Sequence, residues 1–319
     1  MQYIKGNELN GMFYQKNGQV IIRLARDIFV MEPGDRLPPI GAYAEALSMG
    51  RGTVQIALNF LLEKQCITLE KRGRNGSFLT AIDRKRLWEY TDWDLVLGAG
   101  PVPSKGYQGY FPALTTAIYT CLTQSQAPFN LVFSIASHNR LDGLEKNHYS
   151  FVITTKLAFN LSCQRYPDLE TALELPGCTY SSPYLLAYHR GEDGDMRPGK
   201  RIAVNVRSAE QNYLSDLLCQ KYGIEKVEMI HQESLHAFLE HRVDLILVRG
   251  EMIPPALQKE CDTASISYLG CDADTILPVL VVNRENYKMG ELIRRLIDPE
   301  QVKELERQVL CGEREEFFY

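Results

Sequence analysis

Leu47-Ser48-Met49-Gly50-Arg51-Gly52-Thr53-Val54-Gln55-Ile56-Ala57-Leu58 combines a tight turn with the start of an amphipathic helix. Val54, Ala57, Leu58, Leu61 and Leu62 recur at the spacing of a helix buried along one side. Its opposite side carries Thr53, Gln55 and Asn59, all small or amide side chains. Upstream, Ser48-Met49-Gly50 forms a tight turn. A shorter stripe, Ile40, Tyr43, Ala44 and Leu47, precedes it, opened by Pro39, which suits a first helical turn. Glu32-Pro33-Gly34-Asp35 breaks the chain before that, behind a third stripe of Ile21, Leu24, Ala25 and Ile28. Downstream, the alternating runs Ile67-Thr68-Leu69 and Ser77-Phe78-Leu79 flank Arg72-Gly73-Arg74-Asn75-Gly76, which has hairpin-turn chemistry.

Helix, short helix, turn, third helix and basic hairpin follow one another in the order of a winged helix-turn-helix. Such a third helix enters the major groove of double-stranded DNA with its first residues at base edges. A basic hairpin lays Arg and Lys on phosphates. The stretch from Gly34-Asp35-Arg36-Leu37-Pro38 through Arg51, Thr53, Val54, Ala57 and Leu58 to the Gly-rich wing ending in Phe78 resembles the GntR-type winged helix. The resemblance covers roughly residues 18–80. It implies an operator-binding surface of Arg36, Arg51, Thr53, Gln55, Asn59, Lys71, Arg72 and Arg74. The chain departs from that pattern at Gly50, where the family has a capping Ser, and at Gln55, where it has Arg. Pro39 and Gly41 stand where a Ser and an Arg open the second helix. Gln bonds adenine in two places whereas Arg favours guanine, so no family consensus operator carries over.

The charge is divided along the chain. Of 319 residues, the first ninety hold 13 Lys and Arg against 9 Asp and Glu, a net of +4. The rest carry -9, so the overall -5 says little against nucleic acid. Lys71, Arg72, Arg74, Arg84, Lys85 and Arg86 cluster within sixteen positions. Both Trp, at 88 and 93, lie in a joint spanning 83–93, which anchors the linker on one of the domains it joins. Eight Cys without a C-x-x-C pair, no apolar run of membrane length and no basic-then-apolar leader fit a cytoplasmic chain with no membrane role.

From residue 94 the pattern becomes short apolar runs alternating with helical stretches. The expected strands are 94–97, 130–135, 151–154, 185–188, 201–206, 227–230, 244–248, 265–269 and 276–282. The expected helices are 112–123, 138–146, 155–165, 208–222, 233–242, 287–297 and 299–311. Continuous apolar strands with intervening helices predict parallel sheets covered on both faces. About 225 residues suit two α/β lobes, with two strand segments crossing between them. The layout, with Asn139–Leu144 and Ser234–Asp244 each leading into a strand, resembles a type II periplasmic-binding-protein fold. Taken whole, the chain resembles regulators of the YhfZ type. The expected fold class is therefore α/β: a winged helix-turn-helix over 1–82, a linker over 83–93, and a bilobal effector-binding domain over 94–319. Lobe I takes 94–185 and 276–319, and lobe II takes 186–275.

A ligand in such a domain lies where strands end at their carboxyl edges. The candidate loops are Gly100–Ser104, Ser134–His138, Thr154–Lys156, Arg207-Ser208 and Arg249–Glu251. A helix N-terminus beside an Arg suits a carboxylate or phosphate, so a small anionic effector is expected at Ser137, Thr155, Arg207, Ser208 and Arg249. The same Ser and Thr are equally suited to capping helices. Gly98-Ala99-Gly100 lacks the third glycine of a dinucleotide fingerprint, and the His spacing fits no metal site, so no cofactor or metal is expected. The reading is a ligand-responsive, DNA-binding transcriptional regulator acting as a homodimer. The alternative is an enzyme acting on a small anion on the same scaffold.

Overall fold

The computed structural model describes residues 16–93, 95–101, 109–124, 127–134, 136–192, 194–253 and 255–316. Among these, the chain forms two compact units. One holds the residues up to Val96, the stretch ending at Phe129, and Tyr287–Arg295; the other holds the remainder.

In the first unit, α1 (Lys16–Phe29), α2 (Ile40–Ala46) and α3 (Arg51–Glu63) follow the three stripes. Val20, Ile21, Leu24, Ala25 and Ile28 of α1 and Val54, Ala57, Leu58 and Leu61 of α3 are at most 6% exposed. Each large apolar side chain buried this way contributes roughly 1.5–3 kcal/mol, so these facing stripes fix the third helix. Strand β1 (Ile67–Lys71) pairs antiparallel with β2 (Ser77–Ile82), Ile67 opposite Ile82 and Lys71 opposite Ser77. The tip closes where the Arg72 N–H donates to the Gly76 carbonyl at 2.8 Å. Gly73 and Gly76 take φ of +56° and +94° there, values that side-chain-bearing residues rarely adopt. The joint forms α4 (Arg84–Trp88), capped by Asp83, which accepts from the Arg86 N–H. Trp88 and Trp93 pack edge-on against Phe29 at 5.2 and 6.0 Å. Both indoles therefore anchor the joint on the winged helix itself.

Tyr287–Arg295 belongs to this unit although it lies close to the other end of the chain. The Tyr287 hydroxyl donates to Asp27 at 2.8 Å, the Arg23 guanidinium lies 3.3 Å from the Tyr287 ring centre, and Arg295 pairs with Glu32.

The second unit runs β3 (Val96–Gly100), α5 (Tyr110–Gln124), β4 (Phe129–Phe133), α6 (Ser137–Glu145), β5 (Phe151–Thr155), α7 (Lys156–Asn160) and β6 (Leu169–Glu174). It continues with β7 (Tyr184–His189), β8 (Arg201–Asn205), α8 (Ala209–Tyr222), β9 (Glu225–Met229), α9 (His231–Leu239), β10 (Leu245–Arg249), α10 (Pro255–Glu260) and β11 (Cys261–Ser265). Then come α11 (Asp272–Ile276) and β12 (Pro278–Asn283), followed by α12 (Met289–Leu296), which falls within the first unit except for its last residue, and by α13 (Pro299–Leu310) of the second. Two five-stranded sheets result, ordered β4-β3-β5-β12-β6 and β11-β7-β10-β8-β9. The chain crosses from the first sheet to the second before β7 and returns before β12.

The sheets are mixed, which corrects the expectation of parallel ones. β3 and β5 are parallel, as are β8, β9 and β10. β12 runs antiparallel to β5 and β6, and β7 antiparallel to β10 and β11. The reversed strands are those that enter directly from the other sheet, outside any local strand–helix–strand repeat. Strand β6 escaped the sequence reading because Leu-Glu-Thr-Ala-Leu-Glu is rich in helix formers. The expected strand at 265–269 is instead β11 at Cys261–Ser265, followed by a 3₁₀ turn at Ser267–Leu269. The helix expected over 155–165 stops at Asn160.

Alternation sorts the second sheet's two faces. Leu186, Ile202, Val204, Leu245 and Leu247 join Leu214 and Leu218 of α8. Ala187, Ala203 and Ile246 join Ala237 and Phe238 of α9. Gly98 in β3 is a packing residue: a Cβ there would stand 2.3 Å from Phe151 and 2.5 Å from Leu131.

Glu306 on α13 is 3% exposed and accepts from the Thr179 N–H at 3.0 and 3.2 Å. Burial pushes its carboxyl up to about 7, opposed by that amide and by Cys178. A carboxyl raised in the folded state favours folding at low pH, and that contribution is lost as pH rises from the ordinary Glu range through 7. Glu306→Gln should therefore match the wild type near pH 4 and gain stability relative to it, by about 1–3 kcal/mol, at pH 8. Urea denaturation at the two pH values measures this, and a pH-independent difference contradicts it.

Candidate functional site

In the first unit, burial of one side of α3 leaves Gly52, Gln55, Ile56, Asn59 and Glu63 facing out together. Gln55 donates from Nε2 to Asn59 Oδ1 at 2.9 Å, which aligns the two amides. Ile56 is 57% exposed on this face. The helix has no side-chain cap: Gly50 occupies that position, and its carbonyl accepts from the Thr53 N–H at 3.0 Å. Arg51 is exposed and its guanidinium runs alongside Gly41 of α2.

A groove of about 160 Å³ separates α3 from the wing, lined by Arg36, Gln55, Asn59 and Lys71 together with Leu58 and Leu62. It brings together four of the eight DNA-facing residues read from the sequence. Arg36 reaches it because its backbone bridges Phe78 of β2. Arg74 is exposed in the wing tip. Arg72 differs from its neighbours, since Glu70 accepts from it at 2.7 and 2.9 Å and it lies over the Phe78 ring at 4.5 Å. A phosphate would have to compete with that carboxylate.

In the second unit, charged groups are buried where the chain crosses between sheets. Arg249, at the carboxyl end of β10, is 5% exposed, and Glu210 in the first turn of α8 is 8% exposed. Arg249 Nη2 donates to Glu210 Oε2 at 3.0 Å and to the Thr275 carbonyl at 3.2 Å, while Nη1 donates to the Ser182 carbonyl at 2.7 Å. Ser182 precedes β7 and Thr275 precedes β12, so one guanidinium ties both crossings. Glu210 also accepts from Thr155 at 2.6 Å and from Tyr184 at 3.2 Å. Burial pushes the Tyr184 phenol up to about 12, against Arg249, so Tyr184 stays a neutral donor.

Thr155 and Ser208 both cap helices in this arrangement. Thr155 accepts from the Ala158 N–H and Ser208 from the Gln211 N–H. Thr155 additionally reaches Glu210, linking the first sheet to α8. Arg207 is exposed, and Ser137 is a half-buried first residue of α6. Ala136 before it holds φ +63°, rare outside glycine. Of the candidate loop Gly100–Ser104, residues 102–104 lie outside the described residues.

Sequence reasoning missed Ile56, Arg140, Tyr180 and Glu210. Arg140 on α6 is 3% exposed and donates to the Ser134 carbonyl at 2.9 Å and to the Tyr180 hydroxyl at 3.3 Å. Burial raises the Tyr180 phenol as well, with Arg140 the largest opposing influence. Ile56 was legible as the aliphatic on the polar side of the α3 stripe. The Arg140–Tyr180 bond and the Glu210 contacts carry no local signal, because they depend on residues 26 to 55 positions away.

Removing one partner of a buried pair leaves the other charge unsatisfied, which costs about 3–5 kcal/mol. Glu210→Ala should therefore lower stability by that amount in urea denaturation, and a loss below about 1 kcal/mol contradicts the pairing.

Comparison with known proteins agrees with both halves of this description. A family model described as "YhfZ C-terminal domain" matches residues 83–318, and one described as "Helix-turn-helix domain" matches residues 32–79. The YhfZ protein of Escherichia coli (strain K12) is 27% identical over 308 residues, covering 95% of this chain and 98% of that protein. The crystal structure of YhfZ from Shigella flexneri superposes with a TM-score of 0.62 at 23% identity, over 74% of this chain and 98% of that one. The periplasmic aliphatic sulphonate binding protein SsuA of Escherichia coli shares the fold at a TM-score of 0.53 and 13% identity, over 69% of this chain and 75% of that one. An N-terminal helix-turn-helix joined to a mixed α/β domain of solute-binding-protein type, in a chain matched over residues 83–318, makes this protein a member of the YhfZ family.

Proposed function

We propose that this protein is a cytoplasmic, GntR-like transcriptional regulator that binds a double-stranded operator and responds to a small anionic metabolite in its C-terminal domain. The observation that carries the DNA half is the outward face of α3 beside the wing groove. Gln55, Asn59, Arg36 and Lys71 meet there on a segment of net +4 charge. Gln and Asn amides suit adenine edges, and an exposed Ile56 suits a thymine methyl, so the operator is read as A·T-rich at the contacted steps. Arg51 and Thr53 at the helix start and Arg74 in the wing tip supply phosphate contacts. A homodimer on two half-sites follows from the geometry of such modules.

The effector half rests on polar groups clustered where the chain crosses between sheets. Arg249, Thr155 and Ser208 organise this region from within, and Ser137 and Arg207 stand at its helix N-termini. Effector binding shifts a pre-existing equilibrium between arrangements of the domain, and the winged helix reads the result.

Fluorescence anisotropy of a labelled duplex from upstream of the protein's own coding region tests the DNA half. Binding should weaken steeply with salt, as counterion release demands. Neutralising Lys71, Arg72 and Arg74 together should reduce the log–log salt slope by about two rather than three, because Arg72 is already held by Glu70. Absence of salt-sensitive binding overturns the regulator reading.

A further inference from the structure

Beside the crossings lies a buried guanidinium, that of Arg140, with no carboxylate partner among the described residues. Arg140, Arg249 and Glu210 are 3%, 5% and 8% exposed. Glu210 is engaged by Arg249, Thr155 and Tyr184. Among the described residues no carboxylate lies within 4 Å of Arg140, and its Nε has no hydrogen-bond partner. Its two bonds go to neutral oxygens, the Ser134 carbonyl and the Tyr180 hydroxyl. Since that hydroxyl accepts from Arg140, its own proton is available to donate. A buried guanidinium with only neutral partners is expensive to maintain, and an anion relieves it. The fully paired Arg249 next to this region shows how the same fold satisfies a buried Arg when the partner is internal.

We propose that Arg140, with the Tyr180 hydroxyl, anchors the oxyanion group of the effector, a small molecule bearing a single carboxylate, sulfonate or phosphate. This rests on the reading of the second unit as an anion sensor and names a residue of that site. The carboxylates nearby are already engaged, Glu210 by Arg249, Glu251 by Ser182 and Glu306 by the Thr179 N–H, so a further negative group is what would complete the partners of Arg140. A guanidinium offering Nε together with a terminal nitrogen matches the fork geometry of an oxyanion. Tyr180 lies two residues before Ser182, which accepts from Arg249 on the crossing into β7. An anion held at Arg140 therefore bears directly on the segment that joins the two sheets.

Thermal unfolding of the full-length protein tests this with sodium acetate, methanesulfonate and phosphate, each titrated against sodium chloride at equal ionic strength. At least one of the three should raise the wild-type midpoint saturably, and the responding anion identifies the group. Arg140→Met should abolish that rise. Its midpoint in chloride should equal or exceed the wild type's, because an unpaired buried charge has been removed. Arg140→Lys should retain a weakened rise. An Arg140→Met protein that responds like the wild type overturns the assignment while leaving an anion sensor in place. A midpoint for Arg140→Met well below the wild type's in chloride overturns it too, by making Arg140 a structural residue. No response of the wild type to any of the three overturns the anion-sensor reading itself.

Discussion

The ion pair between Arg249 and Glu210 organises the second unit. Both groups are almost fully removed from water, where leaving either charge unpaired is costly. Their pairing is stable because the remaining hydrogen-bonding capacity is taken up as well. Arg249 supplies donors to the carbonyls of Ser182 and Thr275, and Glu210 takes the hydroxyls of Thr155 and Tyr184. Three separate segments, at Thr155, Ser182–Tyr184 and Thr275, thus converge on one pair. Two of them are the crossings between sheets, which are the natural places for a change in sheet-to-sheet geometry. The pair serves as a restraint on those crossings more than as a source of net stability, since replacing such pairs by apolar residues is often neutral or stabilising.

The chain then leads from that restraint towards the winged helix. Beyond the Thr275 crossing come β12 and then Tyr287–Arg295, which packs within the first unit through Asp27, Arg23 and Glu32. Asp27 is half-buried, and burial raises its carboxyl, with the Tyr287 hydroxyl pulling it back down. The segment carrying Tyr287 therefore joins the helix-turn-helix unit to the strand that follows the second crossing by a few residues of covalent chain.

The winged helix was legible because every one of its stripes has a helical period and its turns carry glycine where the backbone needs it. Gly73 and Gly76 in the wing and the sequence Arg51 to Leu58 all sit as expected. The strands of the second unit were legible where they are continuous and apolar, as in β5, β10 and β12. They were hidden where composition contradicts state, as in β6, whose Leu, Ala and Glu favour helices. Strand direction was hidden too, because it depends on which sheet a segment came from. Thr155 and Ser208 could be read as caps, and they are caps, since capping is a local interaction. Arg249 was read as a candidate effector contact, whereas its pairing with Glu210, 39 positions away, gives no sign in sequence. Buried pairing is a tertiary fact, which is why Arg140 and Tyr287 also went unread.

If the proposed regulator function holds, the restraint at Glu210 and Arg249 influences DNA binding by a unit that contains neither residue. The most direct measurement is the affinity of the full-length protein for a duplex from upstream of its own coding region, compared with that of its Glu210→Gln form, by fluorescence anisotropy at fixed salt. The substitution leaves α3 and the wing untouched and removes only the carboxylate charge. The account predicts that the two affinities differ by several-fold while the salt slope stays the same. Equal affinities, with the Glu210→Gln protein shown to be folded, would contradict it.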